Sequence, residues 1–154
     1  MVRKWNRREA LAAGAASAGL LTTGLGAAPA RAANDYAQQI EAFTGGKEPV
    51  EARVKLELPE LAENGNTVPL AVSVDIPAIP NSSQSYVEEI LVVAPANPNS
   101  RVLRFRFSAD SVPEAATRIR LAESQNVIAV ARMSDGRFFS ATRPIKVTIG
   151  GCGG

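Results

Sequence analysis

The chain has 154 residues, with 17 basic and 15 acidic side chains, one Cys, two Met and no His. Without His, no Ser-His or Cys-His nucleophile pair can be built, nor a His-based zinc or copper site; one Cys with two Met is too few for a thiolate metal cluster and rules out an internal disulfide. The formal charge of +2 comes from residues 1–32, which hold Arg3, Lys4, Arg7, Arg8 and Arg31 against Glu9; the other 122 residues balance 12 basic against 14 acidic groups, which argues against nucleic acid as a partner.

In chain order, "MVRKWNRREALAAGAASAGLLTTGLGAAPARA" (1–32) starts with charge, including the adjacent Arg7 and Arg8. A weakly apolar Ala/Gly/Leu stretch follows, with small residues at Ala30 and Ala32 in the spacing a signal peptidase needs. Paired arginines before so modest an apolar run predict a twin-arginine export signal, cleaved to leave a soluble periplasmic protein. The run from Ala10 to Ala28 is long enough for a membrane anchor, but its glycines and threonines suit that role poorly. The remaining residues suit one domain with one core.

"NDYAQQIEAFTGG" predicts a short amphipathic helix with Asn34 or Asp35 as N-cap. Tyr36, Ile40 and Phe43 lie on one face, Gly45-Gly46 is the stop, and the helix covers one end of the domain. From Val50 the apolar period changes to two. "VEARVKLEL" (50–58) and "VPLAVSVDI" (68–76) both alternate as strands, with "ENGN" (63–66) as the turn between them. Pro69 implies an edge position or a strand start. Further strands are predicted at 86–94, 101–107, 116–122, 125–133 and 145–149. "SDGR" (134–137) is a hairpin turn, and "FFSA" begins a last strand that Pro144 interrupts. About seven short strands between Pro-, Asn- and Gly-rich turns predict an all-β fold, an immunoglobulin-like antiparallel β-sandwich over 33–149.

Two segments inside the sandwich carry alternative readings. Arg104 and Arg106 share a strand face that is either simply solvated or attractive to an anion or a partner. "EEILVVA" has a continuous apolar run that fits a partner-covered strand or an ordinary core strand.

The chain ends "GGCGG". Gly150, Gly151, Gly153 and Gly154 carry no side chains to pack, so 150–154 is predicted to be a flexible arm, able to carry the sulfur of Cys152 roughly 10 Å from Ile149. A free thiol near pKa 8.5 is only about 3% thiolate at pH 7, and no fixed cation or helix start lies in the tail. The expected role is a passenger site activated by a partner, with no catalytic residue and no metal of its own. A prenylation box needs its cysteine one place earlier.

"GGCGG" after "KVTI", together with "ESQNVIAVARMSDG" (123–136), "TRIRLA" (117–122), "PELAENGNTVPL" (59–70) and the twin-arginine leader, resembles the SoxY family, sulfur-carrier subunits of bacterial thiosulfate oxidation. The resemblance implies that Cys152 is joined through its sulfur to thiosulfate by a c-type haem enzyme. It implies further that a hydrolase then releases sulfate and a sulfur dehydrogenase oxidises the remaining sulfane. Sulfur intermediates bound on Cys152 take the place of a cofactor, and the carrier pairs with a SoxZ-like immunoglobulin-like subunit as a heterodimer. Two rival readings are a ubiquitin-like carrier that adenylates its Gly153-Gly154 terminus, which export to a compartment without ATP opposes, and a structural or adhesion domain that dimerises through Cys152.

Overall fold

In the computed structural model the chain divides into two units, Met1–Ala30 and Arg31–Gly154. The structure describes residues 35–76 and 85–151, all in the second unit. The leader expected over 1–32 and the residues Cys152, Gly153 and Gly154 lie outside the described residues.

Helix α1 (Tyr36–Thr44) ends where the sequence places its stop, with Gly45 left-handed at φ 64°. The Gly46 amide donates back to the Glu41 carbonyl at 3.2 Å, a pattern that satisfies carbonyls left over at a helix end. Asp35 stands at the N-cap without bonding the helix backbone through its side chain. Its carboxylate instead accepts from the Ser100 hydroxyl and from Gln39 Nε2, and these two bonds hold its pKa below the usual value.

Among the described residues nine strands follow: β1 (Val50–Glu51), β2 (Val54–Glu57), β3 (Leu61–Asn64), β4 (Val68–Val74), β5 (Val87–Val93), β6 (Arg101–Arg106), β7 (Glu114–Ile119), β8 (Gln125–Met133) and β9 (Phe138–Ile149). They form two sheets, one ordered β1-β9-β8-β5-β6 with β3 also on β9, the other β2-β4-β7. Leu56, Val68, Leu70 and Val72 from the small sheet meet Ile90, Val92, Val127 and Ala129 from the large one in a single buried core. Each such aliphatic side chain contributes about 1.5–3 kcal/mol by leaving water. The predicted sandwich is therefore the observed fold, with two parallel pairings, β1 and β3 on β9, added to its antiparallel ladders.

The apolar run in β5 has both faces covered. Ile90 and Val92 point into the core between the sheets, while Leu91 and Val93 join Val130, Phe138 and Phe43 in a second cluster beneath α1. Phe43 and Phe138 meet edge to face, 6.1 Å between ring centroids. The chain's own helix supplies the cover on the second face.

Two local readings of the sequence are corrected. The stretch "VEARVKLEL" is two strands in different sheets: Val50 pairs with Phe139 of β9, whereas Val54 pairs with Val74 of β4. Arg53 makes the corner with φ 63°, and Val50, read as core, is 59% exposed. The second correction is Pro144, which does not interrupt β9. Lys146 donates its amide to Glu60 on the β3 edge, and alternation in a strand points residue 144 to the same side. There it falls between the stretches paired with β1 and with β3, so its missing N–H breaks no ladder. Pro69, expected at an edge or a strand start, is the second residue of the central strand β4; β2 reaches only to Ala71, so β7 alone flanks it. The hairpin at 134–137 stands as read, with Gly136 at φ 79° and its amide on the Met133 carbonyl at 3.0 Å.

Candidate functional site where the tail leaves the sandwich

β9 carries the chain to Ile149, directly beside Asn64 at the end of β3. Three backbone bonds then interlock three segments. Gly65 N donates to Ile149 O at 2.8 Å, Leu121 N to Gly65 O at 2.8 Å, and Gly151 N to Leu121 O at 2.9 Å. The turn after β3, the loop after β7 and the C-terminal segment thus meet at one point.

The space there excludes a side chain at Gly65 and Gly150 and leaves little room for one at Gly151. A Cβ on Gly65 would lie 2.2 Å from the Leu121 carbonyl oxygen, one on Gly150 2.0 Å from that of Ala122, and one on Gly151 3.0 Å from that of Gly65. Gly150 and Gly151, expected from the sequence to begin a flexible arm, lie packed against backbone at this point. Gly150 and Gly151 are glycine because backbone approaches backbone, and Gly151 is buried. The described chain is anchored up to the residue before Cys152, while Cys152, Gly153 and Gly154, the rest of the expected arm, lie outside the described residues.

The loop that receives Gly151 is tied down by side chains that the sequence does not advertise. Asn97, 6% exposed, accepts from Ala122 N at 2.9 Å and Gln125 Nε2 at 3.1 Å, and donates to Arg120 O at 2.9 Å. Gln125 Oε1 accepts from Ala96 N, and Ser124 Oγ accepts from Val147 N at 2.8 Å. Asn64 Oδ1 accepts from both the backbone and side-chain nitrogens of Asn66, shaping the turn around Gly65. Asn97 lies in "NPNS", which reads as an ordinary turn; only its burial marks it, and burial of a polar side chain is not visible in a local pattern.

Arg104 and Arg106 belong to a different place. β8 and β5 lie between β9 and β6, roughly 14 Å of sheet at about 4.8 Å per strand. The Arg106 side chain is 79% exposed, yet both arginines also have partners. Glu89, 2% exposed, receives Arg104 Nε at 3.4 Å, Arg106 Nε at 3.1 Å and Arg132 Nη2 at 3.0 Å. The guanidiniums of Arg104 and Arg132 also lie 5.4 and 5.5 Å from the Phe43 ring centroid. Their charge is answered by a buried carboxylate and an aromatic face, and the pair builds structure around α1.

Apart from the leader, every segment that carries the resemblance supplies part of the tail exit: Gly65 from 59–70, Leu121 from 117–122, Ser124 and Gln125 from 123–136, and Ile149 to Gly151 from the end of the chain. A family profile described as "Sulfur oxidation protein SoxY" matches residues 40–152. The chain belongs to the SoxY family. Its match runs through Cys152 and takes in every residue of the exit just described. Among solved structures, the sulfur carrier protein SoxY from Chlorobium limicola f thiosulfatophilum is 30% identical, with a TM-score of 0.60 over 75% of this chain and 97% of that one. A superoxide reductase (neelaredoxin) from Ignicoccus hospitalis, 22% identical with a TM-score of 0.52 over 62% of this chain and 80% of that one, shares the fold alone. No curated protein sequence matches.

Proposed function

We propose that the protein is a covalent sulfur carrier for thiosulfate oxidation, exported to the periplasm by the twin-arginine pathway, with Cys152 as its point of attachment. The observation that carries this reading is the junction at Gly151: a sandwich delivers its C-terminal strand to a built exit, and the one cysteine of the chain is the next residue. Membership of the SoxY family and the likeness to a sulfur carrier protein support it.

The chemistry follows from the thiol. The Cys152 thiolate and thiosulfate join through a new S–S bond, and two electrons pass to a c-type haem enzyme. Water then attacks the terminal sulfonate sulfur, releasing sulfate and two protons and leaving a persulfide on the cysteine. A sulfur dehydrogenase takes six electrons from that outer sulfur while three waters supply oxygen and six protons leave, giving a sulfonate on the cysteine, and the hydrolase adds one more water to release it as sulfate and restore the thiolate. In this scheme the carrier supplies an attachment atom and a point of delivery. The bond-making machinery belongs to the partners, among them a SoxZ-like subunit.

Intact mass spectrometry of the protein from cells grown on thiosulfate tests the reading. Adducts of thiosulfonate or persulfide mass are expected on the C-terminal peptide and should vanish in Cys152→Ser. Adducts that persist in that variant would move the attachment to the Gly154 carboxylate. A stable disulfide dimer, with thiosulfate oxidation unaffected by Cys152→Ala, would make the protein a structural domain instead.

A further inference from the structure

The described glycines do two different jobs. A Cβ on Gly45 or Gly46, at the end of α1, would meet nothing within 4 Å, and both residues have positive φ. They serve a turn that needs left-handed backbone. Gly65 and Gly150 have no such φ, yet a Cβ on either would fall within 2.2 Å of a backbone oxygen. They serve close approach, and what they approach is Leu121 and Ala122, in the loop that Asn97, Ser124 and Gln125 fasten.

We propose that Gly65 and the Leu121–Ala122 backbone form a positioning site for the carrier cysteine, a clamp that seats the tail through Gly151 and fixes the point from which Cys152 departs. The proposal rests on Cys152 being the attachment site. The clamp acts through main-chain groups alone. Its bonds run in series, Ile149 O to Gly65 N, Gly65 O to Leu121 N, and Leu121 O to Gly151 N, so releasing the tail removes the last link and leaves both sheets intact. The tether between anchor and thiol is one residue, about 3.3 Å of extended chain, in place of the roughly 10 Å counted from Ile149. A partner must therefore take the tail at a defined distance from the end of the sandwich, or open the clamp to lengthen it.

A nitroxide attached to Cys152 of the purified protein reads this directly. With the clamp closed, the label should broaden the amide signals of Asn64 to Asn66 and of Ala122 to Ser124 ahead of the rest of the surface. In Gly150→Ala the added methyl meets the Ala122 oxygen and the tail can leave without disturbing either sheet. There the selective broadening should be lost, and exchange of the Gly151 amide should quicken about tenfold or more while Val92 and Val130 keep their protection. Gly65→Ala should do the same; if it fails to fold, Gly150→Ala still decides. Broadening spread evenly in the unsubstituted protein, or an unchanged pattern in Gly150→Ala, would overturn the clamp. Absence of any thiosulfate-dependent adduct on Cys152 would overturn the carrier reading instead, a separate outcome, because the label experiment uses unmodified thiol.

Discussion

The Arg53 guanidinium lies 5.0 Å from the centroid of the Phe139 ring, bridging the corner at which one apparent strand parts into β1 and β2. Arg53 is the only non-glycine residue with positive φ among those described, a conformation that costs a side chain about 1–2 kcal/mol. The cation–aromatic contact returns about 0.5–1 kcal/mol at an exposed site. Arg53→Ala keeps the strain and loses the contact. Arg53→Gly loses both, so the glycine variant should be more stable than the alanine variant by about 1 kcal/mol. Urea midpoints of the two would show it, and alanine at or above glycine would refute it.

Among the described residues, Glu89 is the one acidic group that three arginines share. Glu89→Ala removes the buried carboxylate and leaves Arg104, Arg106 and Arg132 facing one another on the sheet. The arginines are partly open to water, which softens the loss to about 2 kcal/mol, below the range for fully buried pairs. Glu89→Gln keeps the shape without the charge and should recover less than half of that. Chemical denaturation of both variants checks this.

Asn97→Ala strips the 120–125 loop of two acceptor bonds and one donor bond. A loss of about 2 kcal/mol is expected for so buried an amide. The loop's grip on the tail should loosen in parallel. Faster amide exchange at Gly151 and Ala122 than at Val72, measured in the same sample, would separate this from a general loss of stability.

The Asp135 carboxylate is held at about pKa 2, first by its bonds to Arg137, which lie at 2.8 and 2.6 Å. A lowered folded-state pKa gives stability that is fully present above the ordinary value of 3.8 and is lost as the pH falls toward about 2. Because both partners are well exposed, the effect is small. Asp135→Asn should destabilise at pH 7, and the difference from the unsubstituted protein should shrink between about pH 4 and pH 2. A difference that stays constant across that range would show that the ion pair is not its source.

Much of the sandwich was legible because alternation is a local signal. β4 repeats its apolar residues in the period its burial follows, and Val127, Ala129, Ala131 and Met133 do so in β8, while β5 shows as a continuous apolar run buried on both faces. β3 escaped notice: it is four residues long, its Leu61 is exposed, and its pairing with β9 joins distant parts of the chain. The corner at Arg53 was hidden for a related reason. Alternation continues across it, and only the change of partner reveals two strands. The packing of Gly150 and Gly151 is not legible in the sequence, because glycine is silent between two opposite uses. It stands where a chain must bend freely and also where a chain must lie against another with no gap, and composition is the same in both.

The strand that ends at the clamp is secured along its whole length. β9 is laddered to β8 from Phe138 to Ile145 and to β3 from Lys146 to Ile149. Hydrogen bonds in such ladders run across the strand axis, so a tug on the C-terminus loads many of them together in shear instead of unzipping them one by one. A machine that draws the terminus into its own cavity can therefore pull hard on it without unravelling the body behind.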